Sequence, residues 1–382
     1  MTELNQETLD PERQEKAREY AAVRRRFMLL DLALGAGLLI LWLVTGWSAA
    51  LRDWITTWTE NRWLAVAAFG GIFGGFFFLV DLPLAYYTGF VLPHRYDQSN
   101  QTLQGWITDL LKSTGLAVVL GGLLLEILYY LLQTAPETWW IWTGGVVVLF
   151  SAVLANLAPV LIFPLFYDFE PLGEKHQELE QSLLSLAEQA GTEVRGVYTF
   201  DISRRTKSAN AGLTGLGSSQ RIIVGDNMLE EFTNPEIETV LAHELGHQVH
   251  HDIVLGMAFQ AVLNFGGLYL ASLALRWGVE AFDFRGIADL AALPLFGLVL
   301  GAFGLVTMPL SNAYSRWRER MADRYALQAT GKGEAYASAL TRLANQNLAE
   351  VDPDRWVEVL LYSHPPLKKR IALAQSGRSH KD

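Results

Sequence analysis

The chain has no cysteine, which excludes disulfides and thiolate metal ligands at once, so a metal site has to be built from His, Asp or Glu. Histidine is scarce, with 8 in 382 residues, so any pairing of imidazoles carries information. Positive charge is in deficit. The 30 Lys and Arg face 40 Asp and Glu, for a formal charge of -10, which argues against nucleic acid as the main partner. The first 20 residues hold no apolar stretch of the secretory-signal kind, since the first apolar block begins only after Arg24, Arg25 and Arg26. No internal repeat or low-complexity tract is visible.

Hydrophobic residues are plentiful, at 51% of the chain, and they are concentrated in long blocks. A membrane-spanning helix needs about 20 predominantly apolar residues. Six segments qualify: 27–47, 63–87, 115–132, 139–163, 254–275 and 287–310. Trp42, Trp47, Trp63, Trp139, Trp140 and Trp277 lie at or near their ends, where amphipathic rings favour the headgroup region. With six spans, the N-terminal tail, 92–114, 164–253 and 311–382 share one side, and 26 of the 30 Lys and Arg fall there. That side is expected to be cytoplasmic. The chain then divides into a cytoplasmic tail (1–26), a four-span region (27–165), a cytoplasmic segment (166–252), a two-span region (253–310) and a cytoplasmic C-terminal segment (311–382).

In the segment 166–252, Leu179, Leu183, Leu184 and Ala187 recur at helical spacing, and strand-like runs follow at 193–200 and 221–224. The Gly/Ser-rich stretch between them has the composition of turns. Asn234, Pro235 and Glu236 read as a helix start, with Asn234 as cap. The helix continues through VLAHELGHQVHH. His243 and His247 are four apart and stand on one face, where both can reach a single zinc; Glu244 beside them can take a proton from water there. A chance H-E-x-x-H in this composition is on the order of one in a hundred. An amphipathic helix with solvated His and Glu is the structural alternative. His250 and His251 read as interfacial, although His250 is close enough in sequence to approach the site. A catalytic zinc takes three protein ligands and keeps one position open. The segment SRWRERMADRYA offers Glu319 and Asp323, four apart on a helix. One carboxylate can bind metal while the other hydrogen-bonds a ligand imidazole, or both can belong to a solvated face paired with neighbouring Arg residues.

HELGH, then two spans, SRxxExxAD, and YSHPPLKKR at residues 362–370 together resemble the type I CAAX prenyl endopeptidases, an integral-membrane zinc metallopeptidase family. The stretches FPLFYDFEPL, NQTLQGW and SANAGLTGLGSSQRIIVGDNML agree with it. The resemblance implies one Zn2+ per chain held by His243, His247 and Glu319, with Glu244 as base. It further implies Asp323 orienting a ligand His, His364 steadying the oxyanion and Arg370 supporting the site. Asn210 and Ala211 would lie on an edge strand that pairs with substrate backbone, as in β-augmentation. His364 has a second reading as a turn residue fixed by Pro365 and Pro366. Two departures bear on substrate more than on chemistry: one span fewer than the eukaryotic members, and Asp252 where those members commonly place His.

The expected molecule is a mainly α membrane protein of about six transmembrane helices with a cytoplasmic zincin-like α+β metallopeptidase part. Its partners are the lipid bilayer and a peptide or protein substrate, prenylated if the enzyme processes C-a-a-X tails. A general membrane-protein quality-control protease and a non-catalytic scaffold or transporter with a vestigial site are the rival functions.

Overall fold

The computed structural model describes residues 8–215 and 220–376. Its helices begin earlier and run further than the apolar blocks alone. α1 (Pro11–Val44) starts well before its apolar part, because the Asp10 carboxylate accepts the N–H groups of Glu12 and Arg13 and Pro11 fits the first turn. α2 (Trp47–Thr56), α3 (Arg62–Tyr86), α4 (Leu92–Arg95), α5 (Leu103–Thr134) and α6 (Trp139–Leu157) follow. α7 (Gln177–Gln189), α8 (Asp226–Glu231) and α9 (Asn234–Val249) belong to the polar part, and α10 (Asp252–Ala281) and α11 (Leu293–Thr330) return to the membrane. α12 (Gly333–Gln346), α13 (Arg355–Leu361) and α14 (Leu367–Gln375) complete the chain.

Six stretches among the described residues are long and apolar enough to cross a bilayer: Pro11–Val44, Arg62–Arg95, Leu103–Thr134, Trp139–Leu165, Asp252–Ala281 and Leu290–Thr330. All six expected spans are therefore present. Their principal contacts run in a cycle, α1 to α3, α5, α6, α10, α11 and back to α1. At most 28% of any span's apolar stretch is buried by protein, so most of each span's surface is left uncovered by other protein. Across the α1–α3 contact, the intramembrane carboxyl groups of Asp31 and Asp81 are neighbours, and ionisable groups within a membrane are commonly found in pairs.

The polar part is built on a four-stranded sheet: β1 (Phe169–Pro171), β2 (Val197–Phe200), β3 (Ala211–Thr214) and β4 (Arg221–Gly225), in the order β1-β2-β4-β3. β2 and β4 are parallel, and the outer pairs are antiparallel. α7 covers the sheet with Leu179, Leu183 and Ala187 buried, as the spacing predicts, while Leu184 is only half-buried. β3 lies within the stretch whose composition reads as turn. Ala and Gly have little intrinsic strand preference, and pairing with β4 supplies what propensity does not. β3 sits at the sheet edge with one side unpaired, as the family resemblance implies; the tip of the hairpin, 216–219, lies outside the described residues.

α9 and α11 meet at Gly246. A Cβ there would stand 2.9 Å from the Ala322 Cα and 3.1 Å from its carbonyl oxygen, so only glycine lets the two backbones approach this closely. Gly246→Val is expected to destabilise the fold by about 1–3 kcal/mol through overpacking, read as a lowered thermal unfolding midpoint. Gly256→Val, on α10 with open space around it, should leave the midpoint near wild type.

Candidate metal centre

α9 is fixed at its start by a capping box. Thr233 is the N-cap, and the Glu236 carboxylate accepts its N–H at 2.8 Å and its Oγ1–H at 3.0 Å. The expected cap, Asn234, is instead the first helical residue. The extended backbone of Thr233, with Pro235 and Glu236 placed behind it, moves the boundary by one. From this fixed start the helix presents His243 and His247 one turn apart, with Nε2 atoms separated by 3.2 Å. α11 brings Glu319 opposite them. Its Oε2 lies 3.3 Å from His243 Nε2 and its Oε1 3.4 Å from His247 Nε2. One ligand atom from each residue falls within 4.8 Å of the others.

The donor set fits a metal on two counts. Glu319 Oε2 is buried and has no hydrogen-bond partner, a costly state for a carboxylate oxygen unless a cation takes it. Each imidazole also has its far nitrogen engaged by a carboxylate: His243 Nδ1 lies 3.0 Å from Asp323 Oδ1, and His247 Nδ1 2.7 Å from Asp252 Oδ2. Such contacts fix the tautomer and turn both Nε2 lone pairs toward one point. Burial alone would lower the His247 imidazole, but the Glu319 and Asp252 carboxylates outweigh it and raise it to about 9. His243 is raised against its burial by Asp323 and Glu319. Burial would raise Glu319, yet the two imidazoles hold it well below the usual carboxylate range. A metal must displace protons from these groups, so metal affinity falls as pH falls.

Asp323 is almost fully buried and is itself held in place. Tyr336 Oη donates to Asp323 Oδ1 at 2.6 Å, and Arg370 donates through Nη2 to Oδ1 at 2.6 Å and through Nε to Oδ2 at 3.0 Å. Burial would push the Asp323 carboxyl up, but His243 and Arg370 bring it to about 2. Arg370 also reaches to 3.8 Å from Glu319. Tyr336 was not among the residues singled out from the sequence. Its hydroxyl also lies 3.2 Å from His243 Nδ1, and a lone Tyr on a helix gives no sequence signal of such a contact.

Asp252 plays the same geometric part for His247. On an uninterrupted helix, a residue five positions on would lie about 140° around the axis. His251 takes the left-handed conformation, φ 54°, ends α9 and folds Asp252 back over the ring. Arg318 of α11 anchors Asp252 through an ion pair and donates to the His250 carbonyl at 2.6 Å. His250 packs its ring near Tyr325 and is outside the ligand group, and His251 is exposed.

A cavity of about 240 Å³ opens on the centre, lined among others by Asn210, Ala211, Glu244, Tyr336, His364 and Arg370. Glu244 is half-buried at its wall. His364 comes from the turn before α14, with Nε2 3.3 Å from Glu319 Oε1 and a side chain 61% exposed. Asn210 fixes the entry to β3, its carbonyl accepting the Gly225 N–H at 2.8 Å, and Ala211 opens the strand opposite Val224. Every residue singled out for the site thus lies at one place.

The chain is similar to known proteins in sequence and in fold. Residues 174–377 match the model of peptidase family M48, and residues 2–168 match that of the CAAX prenyl protease N-terminal region, described as five membrane helices. The chain is 32% identical to the uncharacterized metalloprotease YhfN of Bacillus subtilis over 363 residues, covering 94% of this chain and 84% of that one. It is 32% identical to CAAX prenyl protease 1 of Saccharomyces cerevisiae over 322 residues, 79% of this chain and 70% of the yeast protein. The crystal structure of S. mikatae Ste24p superposes with a TM-score of 0.83 at 27% identity, over 95% of this chain and 89% of the other. The chain therefore belongs to peptidase family M48 and is a membrane metalloendopeptidase of the Ste24 type.

Proposed function

We propose that the metal is a single zinc per chain, held by His243, His247 and Glu319. The observation that carries this is the convergence of two oriented Nε2 atoms on a buried, unpartnered carboxylate oxygen. Two imidazoles, one carboxylate, no thiolate and an open side make a catalytic rather than a structural zinc set. When bound, zinc supplies Lewis acidity to the scissile carbonyl and to water.

The chain's own groups supply the rest. The free edge of β3 takes the extended substrate backbone by β-augmentation, with Asn210 and Ala211 beside the centre. Glu244, at the cavity wall and outside the ligand set, accepts the proton of the attacking water. His364, close to Glu319 yet largely exposed, donates to the oxygen that gains charge in the tetrahedral state. Asp323 and Asp252 each hold one ligand imidazole, and Arg370 with Tyr336 holds Asp323.

The substrate class we propose is the prenylated C-terminal C-a-a-X tail, supported by the relatives named CAAX prenyl protease. The centre, both termini and the polar segments 166–252 and 311–382 are proposed to face the cytoplasm, on the basis of 26 of 30 Lys and Arg lying on that side. Reporter fusions after Ala372 and within 134–137 should report opposite sides of the membrane. Signals from the same side would break this topology.

Glu244→Gln keeps the shape but removes the base. Turnover of a prenylated C-a-a-X peptide is expected to fall by at least about 10²–10⁴-fold, with zinc content unchanged in the same sample. Undiminished cleavage with full zinc would remove Glu244 from the role. Wild-type cleavage of unmodified membrane substrates in preference to the prenylated peptide would favour a quality-control protease.

Glu319→Gln should lose zinc severely. Asp323→Asn and Asp252→Asn should each cost about 10–100-fold in zinc affinity, as changes behind a ligand do, measured by competition with a chelator. Retention of metal by Glu319→Gln beside its loss in either Asp variant would reverse these assignments.

A further inference from the structure

A second cavity, about 720 Å³, adjoins the catalytic one. The two share Asn347, Ala349, His364, Leu367 and Arg370 in their walls, so one chain can run from one into the other. The junction is tied by hydrogen bonds. Asn347 brackets the backbone of Ala209, accepting its N–H at 2.9 Å and donating to its carbonyl at 3.2 Å. The next residue, Leu348, is held at φ 48°, a strained conformation for a leucine that persists only where the surroundings impose it. The second cavity therefore continues from the N-terminal end of β3.

That placement gives it a polarity. A peptide added to β3 in the commoner antiparallel sense runs opposite to the strand, so its C-terminal portion points toward Ala209 and enters the second cavity. The far wall is α1, contributing Tyr20, Arg24, Arg25 and Met28. The charges there are unequally matched. Arg25 pairs with Glu350 at 2.7 Å, and Glu350 also accepts from Tyr362 Oη at 3.0 Å. Arg370 is committed to Asp323. Arg24 lies over the Tyr20 ring at 5.6 Å and has no carboxylate partner among the described residues.

We propose that this cavity holds the substrate segment C-terminal to the scissile bond, and that Arg24 is a specificity residue binding its free C-terminal carboxylate. The assignment rests on the hydrolytic reading of the metal centre and adds to it a recognition element for a chain end on α1. A guanidinium matches a carboxylate in charge and in fork geometry, and the resulting discrimination should be on the order of 10–100-fold.

The test uses the zinc-loaded full chain in nanodiscs and two internally quenched peptides. Each carries a prenylated cysteine fourth from its end, and they differ only in a free carboxylate or a carboxamide at the C-terminus. The carboxylate peptide should show a kcat/KM higher by on the order of 10–100-fold, chiefly through KM, and Arg24→Gln should bring the ratio toward one. Arg26→Gln, on the same helix but outside the cavity wall, should keep the ratio. A ratio that survives Arg24→Gln, or that Arg26→Gln lowers equally, overturns the proposal; the second result would assign these charges to lipid headgroups. The same peptides are also titrated onto Glu244→Gln, with and without Arg24→Gln. Equal, Glu244-dependent cleavage of both peptides would leave hydrolysis standing and remove the subsite. Arg24-dependent preference in binding without any wild-type cleavage would keep the subsite and remove the hydrolytic reading.

Discussion

The approach of α9 to α11 at Gly246 is the contact on which the rest depends. His243 and His247 stand on one helix, and Glu319 on another some seventy residues later. Nothing in the sequence around either one brings them together. Backbone contact at Gly246 and Ala322 sets the two axes at a fixed spacing, and Glu319, nearly one turn before Ala322, then falls opposite the imidazoles. Glu319 then lies 3.3–3.4 Å from both imidazole Nε2 atoms, a donor set suited to a cation.

Charge enters at the next layer. Asp323 and Asp252 lie behind the two imidazoles, and Arg370 and Arg318 lie behind the carboxylates. Each cation and anion is thus flanked by its opposite, and the layers alternate outward from the ligand atoms. Burying this many charges is expensive unless each is paired and hydrogen-bonded. Here Tyr336 and backbone carbonyls satisfy what the ion pairs leave over. Glu319 Oε2 is the exception, and an exception at that position is what marks the centre.

The spans were legible because a bilayer demands length and apolarity, both of which are read directly from the chain. His243, Glu244 and His247 were legible because their relation is fixed by one helical turn. Glu319 and Asp323 could be paired as candidates from their spacing, but their separate parts came only through family resemblance. Three features were out of reach of the residues alone. β3 is too short and too rich in Ala and Gly to announce itself. Tyr336 acts across space with no local pattern. Asp252 reaches His247 only because His251 breaks the helix in a left-handed conformation that L-residues seldom adopt. Thr233 in place of Asn234 as cap is a one-residue shift of the kind helix ends commonly show.

α11 is a single helix of 38 residues, about 57 Å at 1.5 Å per residue. Its first half is solvated by acyl chains, and its second half carries Glu319. Pro309 lies between them and withholds one backbone hydrogen bond from the helix. Glu319, the proposed third ligand, is thus mounted on a lever whose other arm is embedded in lipid. A thicker or thinner bilayer changes the tilt of such a helix at a cost of fractions of a kcal/mol per Å, and the proline is the joint where that tilt is either absorbed or passed on. Bilayer thickness and the position of Glu319 are in this sense linked through one jointed helix.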